Sequence, residues 1–345
     1  MTEQTLEDVK EYYGQILQSS NDLKTSACCT LESPPPRVRA LLGNIHETVQ
    51  TRFYGCGSPL PDAAKGCNVL DLGCGSGRDV YLLSQIVGEA GHVTGVDMTD
   101  EQLAVANQYI GWHMDQFGYK APNVAFVKGY IEDLQTAGIA DNSVDIVISN
   151  CVINLSPDKD KVFREIYRVL KPGGELFFSD VFAGRRVPED VQKDKVMRGE
   201  CLGGALYTED FRRMMSAIGI PDIRITSKRR LTIEDPGLQE KAGMIDFYSM
   251  TVRAFKIDME DICENYGHVA YYKGTIPGAP HSYVLDDHHE FETGLPVPVC
   301  GNTANMLAQT RFAPYFRVEG DFSTHYGPFD CTPASNATDK SGACC

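Results

Sequence analysis

The stretch Asn68-Val-Leu-Asp71-Leu-Gly73-Cys74-Gly75-Ser76-Gly77-Arg78-Asp79 constrains this chain more than any other. It reads as a buried strand running into a glycine-rich turn and then a helix. Glycine tolerates positive φ and lets backbone approach a ligand closely, so a bound nucleotide is the natural occupant of such a turn. A dinucleotide fingerprint would need a third glycine at position 78, where this chain has Arg78. Asp71 also puts a carboxylate at the strand end, which suits a cationic ligand better than a pyrophosphate.

The surrounding pattern supports a parallel sheet covered by helices on both faces, because short apolar runs alternate with helical segments from Asn68 to about Ser227. The strands predicted are Asn68–Leu72, His92–Asp97, Val124–Lys128, Val144–Asn150 and Glu175–Asp180. Val162, Phe163, Ile166, Val169 and Leu170 make one apolar helix face, with Pro172-Gly173-Gly174 as its stop. Upstream, Val38, Leu41, Leu42, Ile45 and Val49 predict one amphipathic helix after the Pro34-Pro35-Pro36 break.

Four units follow from this reading: an N-terminal helical extension over 1–65, an α/β core over 66–230, a small mixed α+β or β-rich domain over 231–330, and a disordered tail over 331–345 ending in Cys344-Cys345. The fold class expected is a Rossmann-like doubly wound α/β sheet with both additions.

Three further residue sets fall where such a fold binds its ligand. Asp97 ends the second predicted strand, where its carboxylate can accept two ribose hydroxyls. Ile131 and Glu132 follow the third, positioned for the face and exocyclic amine of an adenine. Asn150 ends the fourth. With Gly73, Gly75 and Gly77 of the turn, and with Asp71 facing a sulfonium and an amino group, the charge pattern favours S-adenosylmethionine. Together these features resemble the class I methyltransferase fold over roughly residues 66–182.

The acceptor is narrowed by the cysteines. Twelve occur in 345 residues, with no C-x-x-C pair of the kind zinc sites use. The acidic, amphipathic N-terminus argues against export, so the cysteines are expected to be thiols of a cytoplasmic protein. A net charge of −15 excludes a phosphate-tracking groove, leaving no nucleic-acid partner, and no apolar run reaches the ~20 residues of a membrane span. Cys151 lies one residue past Asn150, at the strand end where open α/β sheets bind ligands. Cys201 precedes the glycine pair Gly203-Gly204, read as a loop held against a ligand. Cys28-Cys29 and Cys56 sit in N-terminal loops, Cys67 and Cys74 fit a buried apolar role, and Cys263, Cys300 and Cys331 have no assignment. Thiolates select soft or borderline centres.

Leu23-Lys-Thr, Tyr54-Gly-Cys-Gly57, Asp97-Met-Thr99, Gly129-Tyr-Ile-Glu132, Ser149-Asn-Cys-Val-Ile-Asn-Leu155 and Gly199-Glu-Cys-Leu-Gly-Gly-Ala-Leu-Tyr207 resemble the arsenite methyltransferases. So do Glu264-Asn-Tyr-Gly267, Tyr272-Lys-Gly274, Val299-Cys-Gly-Asn-Thr303 and Thr310-Arg-Phe312 in the C-terminal part. The resemblance implies Cys28, Cys56, Cys151 and Cys201 as the functional thiols, Cys151 and Cys201 holding trivalent arsenic, and Tyr13 and Met98 as further cofactor contacts. It implies arsenite and methylated trivalent arsenicals as substrates, an external thiol reductant such as glutathione or thioredoxin, and a monomer. Two departures stand out. Cys74 occupies a turn position where the family commonly has serine, and Cys29 sits beside Cys28, able to substitute for it or compete with it.

Arsenite exchanges its hydroxides for thiolates and keeps a lone pair that attacks the sulfonium methyl, so positioning rather than proton transfer dominates. A small-molecule carbon methyltransferase shares the core and predicts indifference to losing Cys201. A non-catalytic arsenic-binding protein predicts binding without consumption of S-adenosylmethionine.

Overall fold

The computed structural model describes residues 36–331 except Tyr54, Cys56 and Ser58. Thirteen strands are present among them: β1 Asn68–Leu72, β2 His92–Asp97, β3 Val124–Lys128, β4 Val144–Asn150, β5 Leu170–Ala183, β6 Leu206–Tyr207, β7 Ile223–Arg230, β8 Phe247–Phe255, β9 His268–Tyr272, β10 Ser282–Val284, β11 Glu290–Glu292, β12 Pro296–Val299 and β13 Phe316–Glu319. Eight form one sheet in the order β3-β2-β1-β4-β5-β8-β7, with β6 pairing alongside β5. The strands from β3 to β5 run parallel, whereas β8 is antiparallel to both β5 and β7. Central strands covered on both faces must be apolar throughout, which is why β1 and β4 read as near-continuous hydrophobic runs.

Strand order reverses at β1, which pairs with β2 on one side and β4 on the other. The two following connections therefore diverge, and a crevice opens beyond the carboxyl ends of β1 and β4. The pairing of Leu72 with Ser149 brings the glycine-rich turn and Asn150-Cys151 to that crevice together.

Packing holds these ends in place. Helix Lys159–Val169 is capped by Asp158, whose side chain accepts the Lys161 N–H at 3.1 Å, and it buries Val162, Phe163, Ile166 and Val169. Phe163 meets Phe178 and Phe211, with ring centroids 6.1 and 5.4 Å away. Each such ring contributes roughly 1.5–3 kcal/mol by leaving water. A separate core built on Phe255, Tyr272, Phe291, Phe312 and Phe316 supports the small antiparallel sheets β12-β9-β13 and β10-β11. Glu175 on β5 is fully buried and pairs with Arg253 at 2.8 Å and with Arg311. Removing both arginines would strand a buried carboxylate, whereas removing one leaves it the other partner.

Three expectations are corrected. The single helix after the proline run is two, Pro36–Leu42 and Glu47–Gln50, because the chain turns at Gly43-Asn44. Strand β5 starts at Leu170, since Leu170 pairs with Val144 across a register shift before Glu175 takes up regular pairing. The large sheet also runs past residue 230, since β8 is inserted between β5 and β7. The terminal pair Cys344-Cys345 lies outside the described residues, as does the start of the N-terminal extension. No helix among the described residues is long and apolar enough to cross a membrane.

Candidate active site

The crevice is an open cleft of about 980 Å³, counting space continuous with solvent. Asp71, Gly73, Gly75, Asp97, Met98, Ile131, Glu132, Asn150 and Cys151 all line it, whereas Gly77 and Cys201 do not. Gly77 instead precedes the helix Arg78–Val87 with φ 86°, a left-handed start that glycine adopts freely. Gly73 has φ 70°, and a Cβ there would meet the Val152 side chain at 2.4 Å, so the turn can pass this close to the β4 connection only as glycine.

The cleft floor is acidic. Asp71 is buried, and desolvation first, then Asp79 and Asp97, push its carboxyl well above the ordinary range. No cationic side chain pairs with it among the described residues. Asp97 is also raised by burial, against the pull of backbone N–H donors from Thr99 and Gly75. Those two bonds are 2.8 Å each, one to each Asp97 oxygen, and the Thr99 hydroxyl and Met98 N–H pull in the same direction. A buried carboxylate lacking a counter-charge is the feature that a sulfonium or ammonium group would satisfy. On this ground the residues fit S-adenosylmethionine.

Cys151, at the cleft, meets Cys201. Cys151 follows β4 directly with φ 59°, and Cys201 has φ 63°. Left-handed backbone costs a side-chain-bearing residue roughly 1–3 kcal/mol and tends to persist where geometry is used. The Cys201 thiol donates to the Cys151 carbonyl at 3.4 Å, and the two sulfurs and the Asp180 carboxylate all lie within 4.8 Å of one another. Cys151 is disulfide-bonded in this structure.

Residues 63–219 match the family profile described as a methyltransferase domain, and residues 266–345 the one described as the arsenite methyltransferase C-terminal domain. An arsenite methyltransferase of Aquipseudomonas alcaligenes is 54% identical over 325 residues, spanning 94% of this chain and 93% of that one. The chain belongs to the arsenite methyltransferase family. The human arsenite methyltransferase is 46% identical over 312 residues, 90% of this chain and 83% of that one. A solved arsenic(III) S-adenosylmethionine methyltransferase from Chlamydomonas reinhardtii superposes with a TM-score of 0.84 at 50% identity, covering 86% of this chain and all of that one.

Several side chains of this family member behave differently from the sequence reading. Gly203-Gly204 packs against protein: a Cβ on Gly204 would lie 1.9 Å from the Asn154 carbonyl, so these glycines let the Cys201 loop approach backbone. Glu132 is already engaged, accepting a hydrogen bond from the Ser156 hydroxyl. Asn150 binds protein as well as lining the cleft. Its amide donates to the Gly57 carbonyl at 3.0 Å and to Asp79 at 3.1 Å, while its oxygen accepts the Gly57 N–H at 3.2 Å. The segment beside Cys56 is thereby clamped to the end of β4. Tyr13, Cys28 and Cys56 themselves lie outside the described residues. Cys74 is buried with its sulfur against Gly95, and burial raises its thiol well above the usual range.

Sequence reasoning missed Asp180 and Lys159. Asp180 ends the strand predicted from Glu175, so the strand-end rule that singled out Cys151 applied to it equally. It is fully buried, and desolvation pushes its carboxyl up to about 7, although the Val181 and Asn154 N–H groups donate to it at 2.8 and 3.0 Å. Burial also lowers Lys159 to about 8.

The Asp180 shift has a sign that can be measured. Its folded pKa lies above the unfolded value, so the proton it retains favours the folded state below about pH 4, and this advantage is lost as pH rises towards 7. Asp180→Asn removes the titration. The unfolding free energy of the variant minus that of the wild type should therefore grow between pH 4 and 8, by up to about 4 kcal/mol, on top of any pH-independent offset. Parallel stability curves would show that Asp180 is not held protonated.

Proposed function

We propose that this chain transfers methyl groups from S-adenosylmethionine to trivalent arsenic held by Cys151 and Cys201. The observation that carries the reading is one juxtaposition. Two cysteines in left-handed backbone converge at the end of β4, beside a cleft whose buried Asp71 carboxyl pairs with no cation among the described residues. S-adenosylmethionine supplies an electrophilic methyl group on a cationic sulfur.

In this reading Asp71 receives the positive charge, Asp97 accepts the ribose hydroxyls, and Ile131, Glu132 and Met98 border the adenine, with Gly73 and Gly75 shaping the turn and Tyr13 as a further cofactor contact. Cys151 and Cys201 replace arsenite hydroxides and hold the lone pair towards the methyl group. Cys56, with Cys28 or Cys29, completes the thiol set for arsenite. Mono- and dimethylated arsenicals are the products, with trimethylation as a further step.

The disulfide at Cys151 bears on the reductant. A disulfide sulfur must gain electrons before it can ligate arsenic, and methyl transfer raises arsenic formally to the pentavalent state. Each demand is for two electrons, which an external thiol such as glutathione or thioredoxin can supply. A cytoplasmic monomer fits this chemistry.

The test is mass spectrometry of arsenic species after incubation with arsenite, S-adenosylmethionine and a thiol. Methylated arsenic is expected with the thiol and little without it. A complete lack of methylated arsenic under reducing conditions would overturn the proposal.

A further inference from the structure

Outside the transfer site, the C-terminal domain holds a second convergence of sulfur. Cys263, Cys300 and Cys331 are free, and their three sulfurs lie within 4.8 Å of one another. They come from three separate segments. Cys263 lies between β8 and β9, Cys300 caps the helix Gly301–Gln309, and Cys331 follows the last described strand.

Backbone bonds hold the segments in register. The Phe329 N–H donates to the Cys263 carbonyl at 2.8 Å, and the Gly301 N–H donates to the Glu264 carbonyl at 2.9 Å. Cys300 is fully buried, and its sulfur accepts the Thr303 N–H at 3.4 Å. It thus sits on the positive end of a nine-residue helix, which favours a thiolate. Three thiols gathered this way form a preorganised ligand set for a thiophilic centre.

We propose that Cys263, Cys300 and Cys331 form a second binding site for trivalent arsenic, ligated by three sulfurs. Binding exchanges three As–O bonds of arsenite for three As–S bonds and releases three waters. No electrons move. Two observations favour arsenic over zinc. Among the described residues no fourth Cys, His, Asp or Glu joins the cluster, so zinc would need a water to fill its fourth position, whereas trivalent arsenic completes its pyramid with the three sulfurs. The local charge points the same way. Arg224 reaches the Cys300 sulfur at 3.8 Å, but its guanidinium already pairs with Asp222 at 2.7 Å and Asp286 at 3.0 Å. Arg224 therefore has little charge to spare for an anionic zinc trithiolate, while an arsenic trithiolate is neutral.

The choice of arsenic rests on the proposed function only in that trivalent arsenic is the thiophile this protein meets. The experiment therefore uses binding without S-adenosylmethionine, in a full-length Cys151→Ser/Cys201→Ser background. Arsenic per chain is measured after reduction, incubation with arsenite and gel filtration, and compared with the same background carrying Cys331→Ser or, separately, Cys263→Ser. Both cysteines lie at partly exposed positions, and circular dichroism checks that each variant folds.

The background is expected to retain about one more arsenic per chain than either triple variant, with three sulfur neighbours by X-ray absorption at the arsenic edge. Arsenite should also raise its thermal midpoint, and this rise should vanish in the triple variants. Equal arsenic content in all three proteins would overturn the site. So would stoichiometric zinc that arsenite does not displace. Methyl transfer is not a readout, so failure here leaves the proposed reaction standing.

Discussion

Cys201→Ser is expected to abolish methyl transfer to both arsenite and its monomethylated trivalent product. Serine keeps the size of the side chain but offers a hard oxygen in place of a soft sulfur, so arsenic loses one of its two anchors beside the cleft. The lone pair is then no longer aimed, and displacement of a reacting atom by about 1 Å can cost roughly 10²-fold in rate. Cys56→Ser should behave differently. Arsenite has three exchangeable ligands and the monomethylated species two, so loss of an N-terminal thiol should remove arsenite methylation and leave substantial activity on the second substrate. Initial rates on both substrates, with excess small thiol, separate the cases. Near wild-type turnover in Cys201→Ser would remove that residue from the site. Equal losses on both substrates in Cys56→Ser would assign Cys56 a role other than first-step ligation.

Asp97→Ala should weaken binding of S-adenosylmethionine roughly 10- to 150-fold while sparing arsenite, because a hydrogen bond to a charged acceptor contributes about 1.5–3 kcal/mol. Part of this loss would act through the protein, since Asp97 also accepts the Gly75 and Thr99 N–H groups at 2.8 Å. Asp97→Asn retains one acceptor oxygen and should fall between the two. Calorimetric titration of each variant with S-adenosylmethionine gives the affinities directly. Unchanged affinity in Asp97→Ala would exclude a ribose contact.

These variants test residues that differ in how legible they were. The ends of β1 to β4 follow from local pattern alone, because buried parallel strands need unbroken apolar runs, and glycine or charge marks where the runs stop. Asp71, Asp97 and Cys151 were visible for the same reason, each sitting at or just beyond such an end. Leu170-Lys-Pro-Gly-Gly174 was misjudged because a helix stop and a strand entry share those residue types. Only its pairing with Val144 decides between them.

The sequence by itself determined the order of the parallel elements, the glycine turn and the chemistry available at the strand ends, since these depend on neighbours within a few residues. Tertiary structure decided which distant groups meet. Strand β8 joins the large sheet, Asn150 clamps Gly57, Asp180 lies beside Cys151 and Cys201, and Cys263, Cys300 and Cys331 converge. None of these has a local signature. A cysteine's surroundings are set by how separate segments pack, and only that packing turns an isolated apolar thiol into one of three ligands aimed at a common point.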